Sequence, residues 1–309
     1  MSLPTLRQLQ YLVAVVELRH FGHAAEECFV TQSTLSAGIQ DLELQLGVVL
    51  LERSKRKVFP TRIGKEIAAR AQQILTLSYD LVELATSAMS PLSGQLRLGI
   101  IPTIGPFLLS KTLPLIRQSL PNLELFLFEA QSSQLLQQLE EGSIDIAVLA
   151  FPFNTHNLMH QICGKEEFLV AMPKNHYLAS ETAIPPSKLP TDELLLLAEG
   201  HCLREHALAA CKLEAQANRT ALQGTSLYTL IEMVANGLGI TLLPEMAVDS
   251  HLFNNEEIHI CPLQLSTEQT PAREIGLVWR PSFQRQELLE HFSDIFKNFF
   301  SADKYRQDR

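Results

Sequence analysis

The stretch EGHCLREHALAAC, Glu199 to Cys211, sets two cysteines nine residues apart, with histidines and an arginine among and beside them. It follows the apolar run LLLLA at 194–198, and Gly200 supplies a turn into a helix whose Leu203, Ala207, Ala210 and Cys211 fall largely on one side. Cys202 then stands at or near the helix N-terminus. There, unpaired backbone N–H groups and the helix dipole favour a thiolate, and His201 and Arg204 are close enough to help. On a continuous helix, with its 1.5 Å rise per residue, the two Cα atoms would lie roughly 13 Å apart, whereas a disulfide needs them within about 7 Å. Joining Cys202 to Cys211 would therefore unwind the helix and turn an oxidation into a change of backbone structure. The plainer alternative is that both are small buried apolar residues, as free cysteines commonly are.

No other residue pattern carries chemistry of comparable interest. The five cysteines, Cys28, Cys163, Cys202, Cys211 and Cys261, are odd in number and scattered, which speaks against a secreted disulfide framework. No pair has a zinc-ligand spacing, and the histidines at 20, 23, 156, 160 and 176 form no ligand motif, so no metal is expected. GLGIT, at 237–241, is too short to count as a phosphate loop, and no cofactor is expected. No apolar run reaches the length of a membrane span, and MSLPTLRQLQ lacks a signal peptide's basic start and apolar centre, so a cytoplasmic protein is expected.

The elements that position these residues divide the 309-residue chain into parts, since one core seldom serves so long a sequence. Between His20 and Thr61 the apolar spacing suits two short helices joined by a tight turn. Ala24, Ala25 and Cys28 form a small packing face, and Leu35, Ile39, Leu42 and Leu46 recur at helical steps. With Thr31 or Ser33 as its N-cap, the second helix exposes Gln32, Ser33, Thr34, Ser36 and Gln40, side chains able to reach phosphates and base edges in a major groove of double-stranded DNA. Arg53, Lys55, Arg56 and Lys57 follow in a short run ending at Pro60, which suits a basic wing touching the DNA backbone. Residues 5–18 supply a scaffold helix beneath the pair.

Arg62 to Met89 reads as one long helix. Ile67, Ile74, Leu81 and Ala88 are seven apart with Leu77 and Leu84 between, a seam that a lone helix cannot bury and that suits dimerisation. The expected division is 1–61 for a winged helix-turn-helix DNA-binding domain, 62–90 for a linker helix and 91–309 for a regulatory domain. Residues 1–90 carry nine basic and nine acidic side chains, so the net charge of −9 falls on the remainder, which is unlike a nucleic-acid surface.

From the Pro/Gly/Ser-rich segment 89–95 onward, strands alternate with helices: strands at 95–101, 123–128, 144–150, 168–172, 194–198, 239–244 and 273–279, helices at 106–119, 132–141, 203–216, 227–236 and 283–300. Such alternation implies parallel sheets covered on both faces.

The run AAEECFVTQSTLSAGIQDLELQLGVVLLERSKRKVFPTRIGKE resembles the N-terminal domain of LysR-type transcription regulators. IPTIGPFLL at 101–109, EAQSSQLLQQL at 129–139, EGHCLRE…C and GTSLYTLIEMVANGLGITLLP resemble the peroxide-sensing members of that family. The likeness runs through nearly the entire chain and weakens at 154–191 and over the last ten residues. It implies an α/β effector domain of two Rossmann-like lobes, similar to periplasmic binding proteins, with the chain crossing between lobes near 163–167 and 265–273. The all-α winged helix-turn-helix domain and the linker helix precede it.

The resemblance also implies roles. Cys202 would be the peroxidatic thiol, passing through a sulfenic acid, and Cys211 the resolving thiol; Thr103, His201 and Arg273 would bind or polarise hydrogen peroxide. Ser132 stands where the family has threonine, keeping the hydroxyl and dropping the methyl, and Glu205 stands where aspartate is usual. The implied partners are promoter DNA, a second dimer in a dimer of dimers, RNA polymerase, hydrogen peroxide as oxidant and a cellular thiol reductant for resetting, and the implied product is an activator of oxidative-stress genes rather than an enzyme. Two rivals stand beside this: a regulator gated by a noncovalent small molecule between the lobes, and a thiol peroxidase carrying a DNA-binding head.

Overall fold

The structure is a computed structural model that describes residues 3–53, 58–87, 91–198, 200–210, 224, 226–248, 256–264 and 271–301. Its contacts divide into two compact units, taken in turn.

The first unit opens with α1 (Leu6–Leu18), whose Thr5 cap closes a capping box with Gln8. It continues through α2 (Phe21–Glu27) and α3 (Gln32–Leu46). Thr31 caps α3 by accepting from the Thr34 N–H, and Gly47 closes it in the left-handed conformation. Leu12, Val15, Ala24, Leu35, Ile39 and Leu42 are buried together, which fixes α3 against α1. Helices α1 and α3 meet closely at Gly38, where a Cβ would come within 2.8 Å of the Tyr11 ring. The hairpin β1 (Leu51–Arg53) and β2 (Val58–Pro60) forms the wing, antiparallel in register Leu51 to Pro60. Glu43 on α3 holds its root by accepting from the Leu50 and Leu51 N–H groups at 2.8 and 3.1 Å.

Helix α4 (Arg62–Ser87) follows as expected from its seam. Its first part packs down through Ile67, Ala68, Ala71 and Leu75, while Ile74, Leu77, Leu81 and Leu84 stay exposed on the single chain.

The second unit alternates β3 (Gly94–Ile100), α5 (Gly105–Ser119), β4 (Leu123–Glu129), α6 (Ser132–Glu141), β5 (Ile146–Phe151) and β6 (Met159–Pro173). It continues with β7 (Leu194–Leu195), α7 (Cys202–Ala210), α8 (Leu227–Ala235), β8 (Ile240–Pro244), α9 (Glu245–Val248), β9 (Ile258–Pro262), β10 (Ala272–Trp279) and α10 (Gln286–Ser301). Among the described residues the strand order is β4-β3-β5-β10-β6-β8-β7, with β9 also paired to β6. One core cluster runs through it, from Leu96 and Leu98 to Phe292 and Phe296.

The sheet corrects the expectation of purely parallel lobes. β3 runs parallel to β4 and β5, and β7 parallel to β8, but β10 is antiparallel to both β5 and β6, and β6 is antiparallel to β8 and β9. The first crossing between lobes, expected as a connector near 163–167, is the interior of the 15-residue strand β6. Residues 159–167 of that strand pair with β10, and residues 168–171 pair with β8. A strand can serve two lobes this way because its hydrogen bonds are made residue by residue, so the partner can change along its length. The second crossing enters β10 at Ala272; residues 265–270 lie outside the described residues. No described helix is long and apolar enough to cross a membrane.

Candidate functional site

Helix α7 begins at Cys202 itself, immediately after the turn at Gly200 and His201. Gly200 has φ +94, a left-handed backbone conformation that favours glycine, and it lies close against the Gln131 side chain. The turn closes over a cavity of about 10 Å³ lined by Ile101, Pro102, Thr103, Gln131, Ser132, Gly200, His201 and Cys202. That is about the room one water-sized molecule needs. Thr103, Ser132 and Cys202 are buried at its floor, while Gln131 and His201 are half-buried at its rim.

Three elements bring these groups together. Thr103 comes from the turn between β3 and α5, Ser132 from the start of α6 and Cys202 from the start of α7. Thr103 does not cap α5, whose N-cap is Ile104 with no side-chain bond. Its oxygens instead accept from Arg273 of β10: Nη1 donates to the Thr103 hydroxyl at 3.0 Å and Nη2 to its carbonyl at 2.9 Å. Because the hydroxyl accepts from Arg273, its own proton is left to donate elsewhere. The Ser132 hydroxyl is buried with no hydrogen-bond partner in the protein, although it lies near enough to Cys202 to favour that residue's thiolate. A buried polar atom of this kind requires a reason, and a small polar occupant of the cavity supplies one.

The electrostatics correct one expectation. Burial pushes the Cys202 thiol above its ordinary pKa, and Glu205 adds to the effect. The Ser132 hydroxyl, Arg273 and Cys202's own backbone N–H pull the other way without prevailing. Cys202 is buried at the foot of the cavity, so desolvation outweighs the dipole. The cation acting on the sulfur is Arg273, since Arg204 is buried and donates to the Leu197 carbonyl at 3.4 Å. Burial lowers His201, which leaves it a neutral imidazole at pH 7.

Arg273 is itself almost wholly enclosed and paired with Glu166, its Nε donating to Oε1 at 2.6 Å. Glu166 was not legible in the sequence, where GKEEFLVAM presents two adjacent glutamates and nothing to say which turns inward. His206, one helical turn after Cys202, is likewise buried, with Nε2 bonded to the Pro152 carbonyl at 2.9 Å and Nδ1 unpartnered. Cys211 lies outside the described residues, so the separation expected between the two cysteines has no counterpart here. Cys28, Cys163 and Cys261 are free thiols raised by burial, and among the described residues no cluster of His, Cys, Asp or Glu could hold a metal.

At the other end of the chain, Gln32, Ser33, Thr34 and Gln40 are exposed on α3, with Ser36 half-buried. The Thr31 hydroxyl lies 2.9 Å from that of Ser33 and 2.8 Å from that of Thr34, tying the first turn together. Arg53 ends β1; Lys55, Arg56 and Lys57 fall outside the described residues.

A recognition helix and wing on one unit, and a small cavity bordered by two hydroxyls and a thiol in a two-lobed α/β domain on the other, define a DNA-binding transcription regulator with a sensory domain. Residues 6–65 match the bacterial regulatory helix-turn-helix protein of the lysR family, and residues 90–301 match the LysR substrate binding domain. The chain belongs to the LysR family. It is 43% identical over 297 residues to the HTH-type transcriptional regulator EstR of Acinetobacter baylyi, covering 96% of this chain and 97% of that one. To the DNA-binding transcriptional dual regulator OxyR of Escherichia coli it is 39% identical over 293 residues, covering 94% of each. Among solved structures it is similar to full-length OxyR of Pseudomonas aeruginosa carrying a cysteine-to-aspartate change, with TM-score 0.78, 36% identity and coverage of 96% and 98%. It is also similar to a hydrogen peroxide-bound cysteine-to-serine mutant of Corynebacterium glutamicum OxyR, with TM-score 0.64, 33% identity and coverage of 97% and 93%.

Proposed function

We propose that this regulator senses hydrogen peroxide at Cys202 and answers by forming a Cys202–Cys211 disulfide that alters its engagement of promoter DNA. The observation that carries the reading is the cavity: a buried thiol, an unpartnered Ser132 hydroxyl and an arginine-bound Thr103 hydroxyl border a space of about 10 Å³. That space has room for about one water-sized molecule, so it favours the smallest effector, hydrogen peroxide, over a metabolite. A peroxide complex is named for the Corynebacterium glutamicum relative, which adds support.

In the proposed reaction Cys202 gives up its proton and the thiolate attacks one peroxide oxygen. The O–O bond breaks, the distal oxygen leaves as hydroxide and takes up a proton to become water, and Cys202 is left as a sulfenic acid. Negative charge gathers on the leaving oxygen, so a Thr103 O–H polarised by Arg273 and a Ser132 O–H beside the sulfur lower the cost of that step. The Cys211 thiol then displaces water from the sulfenic acid to form the S–S bond, and a cellular thiol reductant restores both thiols. In this reading His201 is a neutral rim donor or acceptor. Gln32, Ser33, Thr34, Ser36, Gln40 and the basic wing Arg53, Lys55, Arg56 and Lys57 engage DNA, and the exposed seam of α4 pairs two chains within a dimer of dimers. The oxidised form would activate oxidative-stress genes with RNA polymerase.

The test is peptide mass spectrometry after brief, low-dose peroxide, with DNA footprinting of the same samples. Stoichiometric sulfenic acid and then disulfide at Cys202, moving in step with the footprint, is the expected result. Cys202 unmodified while the footprint changes would leave a regulator gated noncovalently, and multiple-turnover loss of peroxide with an added reductant would mark a peroxidase.

A further inference from the structure

The Arg273 guanidinium is gripped along two neighbouring edges. Nε and Nη2 each lie 2.6 Å from Glu166 Oε1, while Nη1 and Nη2 donate to Thr103. The second Glu166 oxygen accepts from the Met246 N–H at 3.2 Å, where α9 follows β8. Both charged side chains are nearly inaccessible, 0% and 2% exposed. Glu166 also stands at the point in β6 where pairing passes from β10 to β8, so one carboxylate ties the far lobe, the arginine and the cavity wall into a single chain of hydrogen bonds.

We propose that Glu166 is a positioning residue of the thiol site, which aims the Arg273 fork at Thr103 and cancels the guanidinium charge, so that Arg273 polarises Thr103 without drawing Cys202 into reaction at rest. Burial pushes the Glu166 carboxyl above its ordinary pKa, while Arg273 and the Met246 N–H oppose that pull; both carboxylate oxygens accept hydrogen bonds, the pattern of the ionised form. Arg273 acts on the sulfur, where burial prevails over it, and in this proposal the carboxylate bonded to the guanidinium restrains that pull. Removing the carboxylate charge alone leaves a bare cation beside Cys202.

The groups that bear on that sulfur come from every neighbouring element. They are the Ser132 hydroxyl from α6, Arg273 from β10, and Glu205 with the Cys202 N–H from α7. His201 lines the same cavity, His206 on α7 feels the same arginine, and Arg204 is engaged at the Leu197 carbonyl. Of these, only Arg273 is bonded to Glu166.

The biological meaning of this inference rests on the peroxide reading, but its test does not use peroxide. Reduced full-length protein is alkylated with iodoacetamide across a pH series, and the Cys202 peptide is followed by mass spectrometry in wild type, Glu166→Gln and Glu166→Asp. In Glu166→Gln the pH midpoint should fall by about one unit, equivalent to about tenfold more thiolate at neutral pH. Because nucleophilicity falls with pKa on a slope of about 0.4–0.5, the rate at pH 7 should rise roughly threefold. Glu166→Asp keeps the charge, and its midpoint should stay with wild type.

An unmoved or raised midpoint in Glu166→Gln overturns the proposal. Where that variant does not fold, a one-unit fall in Glu166→Asp does the same, and an unmoved midpoint there upholds it. If wild-type Cys202 alkylates normally but is not oxidised by peroxide, the peroxide reading fails while the Glu166 result stands.

Discussion

Helices α3 and α7 each offer an N-terminal first turn to a partner, and they do so in opposite surroundings. The α3 turn is open: Thr31 caps it, and Gln32, Ser33 and Thr34 are exposed. At α7 only the helix start is turned inward: Gly200 is exposed, His201 half-buried and the first helical residue a buried cysteine. In water the polar groups of the α3 first turn lose little to solvation, so exposure carries no penalty there. At α7 the same backbone dipole is opposed by desolvation, so Cys202 rests protonated in spite of it. In the proposed function a helix N-terminus is a reading surface when open and a guarded nucleophile when buried. Burial decides which.

The comparison can be broken most severely at the closed end. Cys202→Ser should abolish the peroxide-driven change in DNA footprint while leaving the reduced-state footprint intact; a variant that still responds would separate sensing from the thiol. Arg273→Met should slow Cys202 oxidation roughly 10²-fold, the scale expected for loss of a donor that serves a developing anion, as followed by stopped-flow fluorescence or competition with a known peroxidase. An unchanged rate would mean that Thr103 needs no polarising partner.

At the open end, Thr31→Ala removes the α3 cap and should cost about 1 kcal/mol of stability in the DNA-binding unit. Urea denaturation of that unit would register this, and Cys202 oxidation should be untouched.

The smallest effect expected is one of pH. Burial holds His206 below its ordinary pKa, so the unfolded chain binds its proton first. Stability contributed by the neutral ring is present above about pH 6.5 and is lost as pH falls from there towards the folded value. Wild-type denaturation midpoints should decline below pH 6.5, and His206→Gln should flatten that decline.

The readability of each end in the sequence follows from the same contrast. The head was legible because its signals are local: Thr31 before a helical apolar period, Gly47 at the helix end, and a basic run between two short strands. Much of the strand and helix order in the second unit was legible for the same reason, as was the N-terminal placement of Cys202, but the expected elements lack β9 and α9 and cut β6 short at 168–172. The mixed direction of the sheet was not, because whether β10 runs with or against β5 depends on a pairing some 125 residues away in sequence, which leaves no local pattern. The raised pKa of the Cys202 thiol was illegible on similar grounds. Helix position is written nearby in the chain, whereas burial is supplied by α6 and β10 from distant segments. Thr103, Ser132 and Arg273 could be proposed through family likeness alone, and Glu166 only from the folded structure.

The most direct test of the account is a crystal structure of the Cys202→Ser protein soaked in hydrogen peroxide. It should show a diatomic oxygen species in the cavity, within hydrogen-bond distance of the Thr103 and Ser132 hydroxyls and with one oxygen facing the substituted side chain. A cavity that stays empty, or holds only water while peroxide binds elsewhere on the protein, would contradict the claim that these residues form a peroxide site.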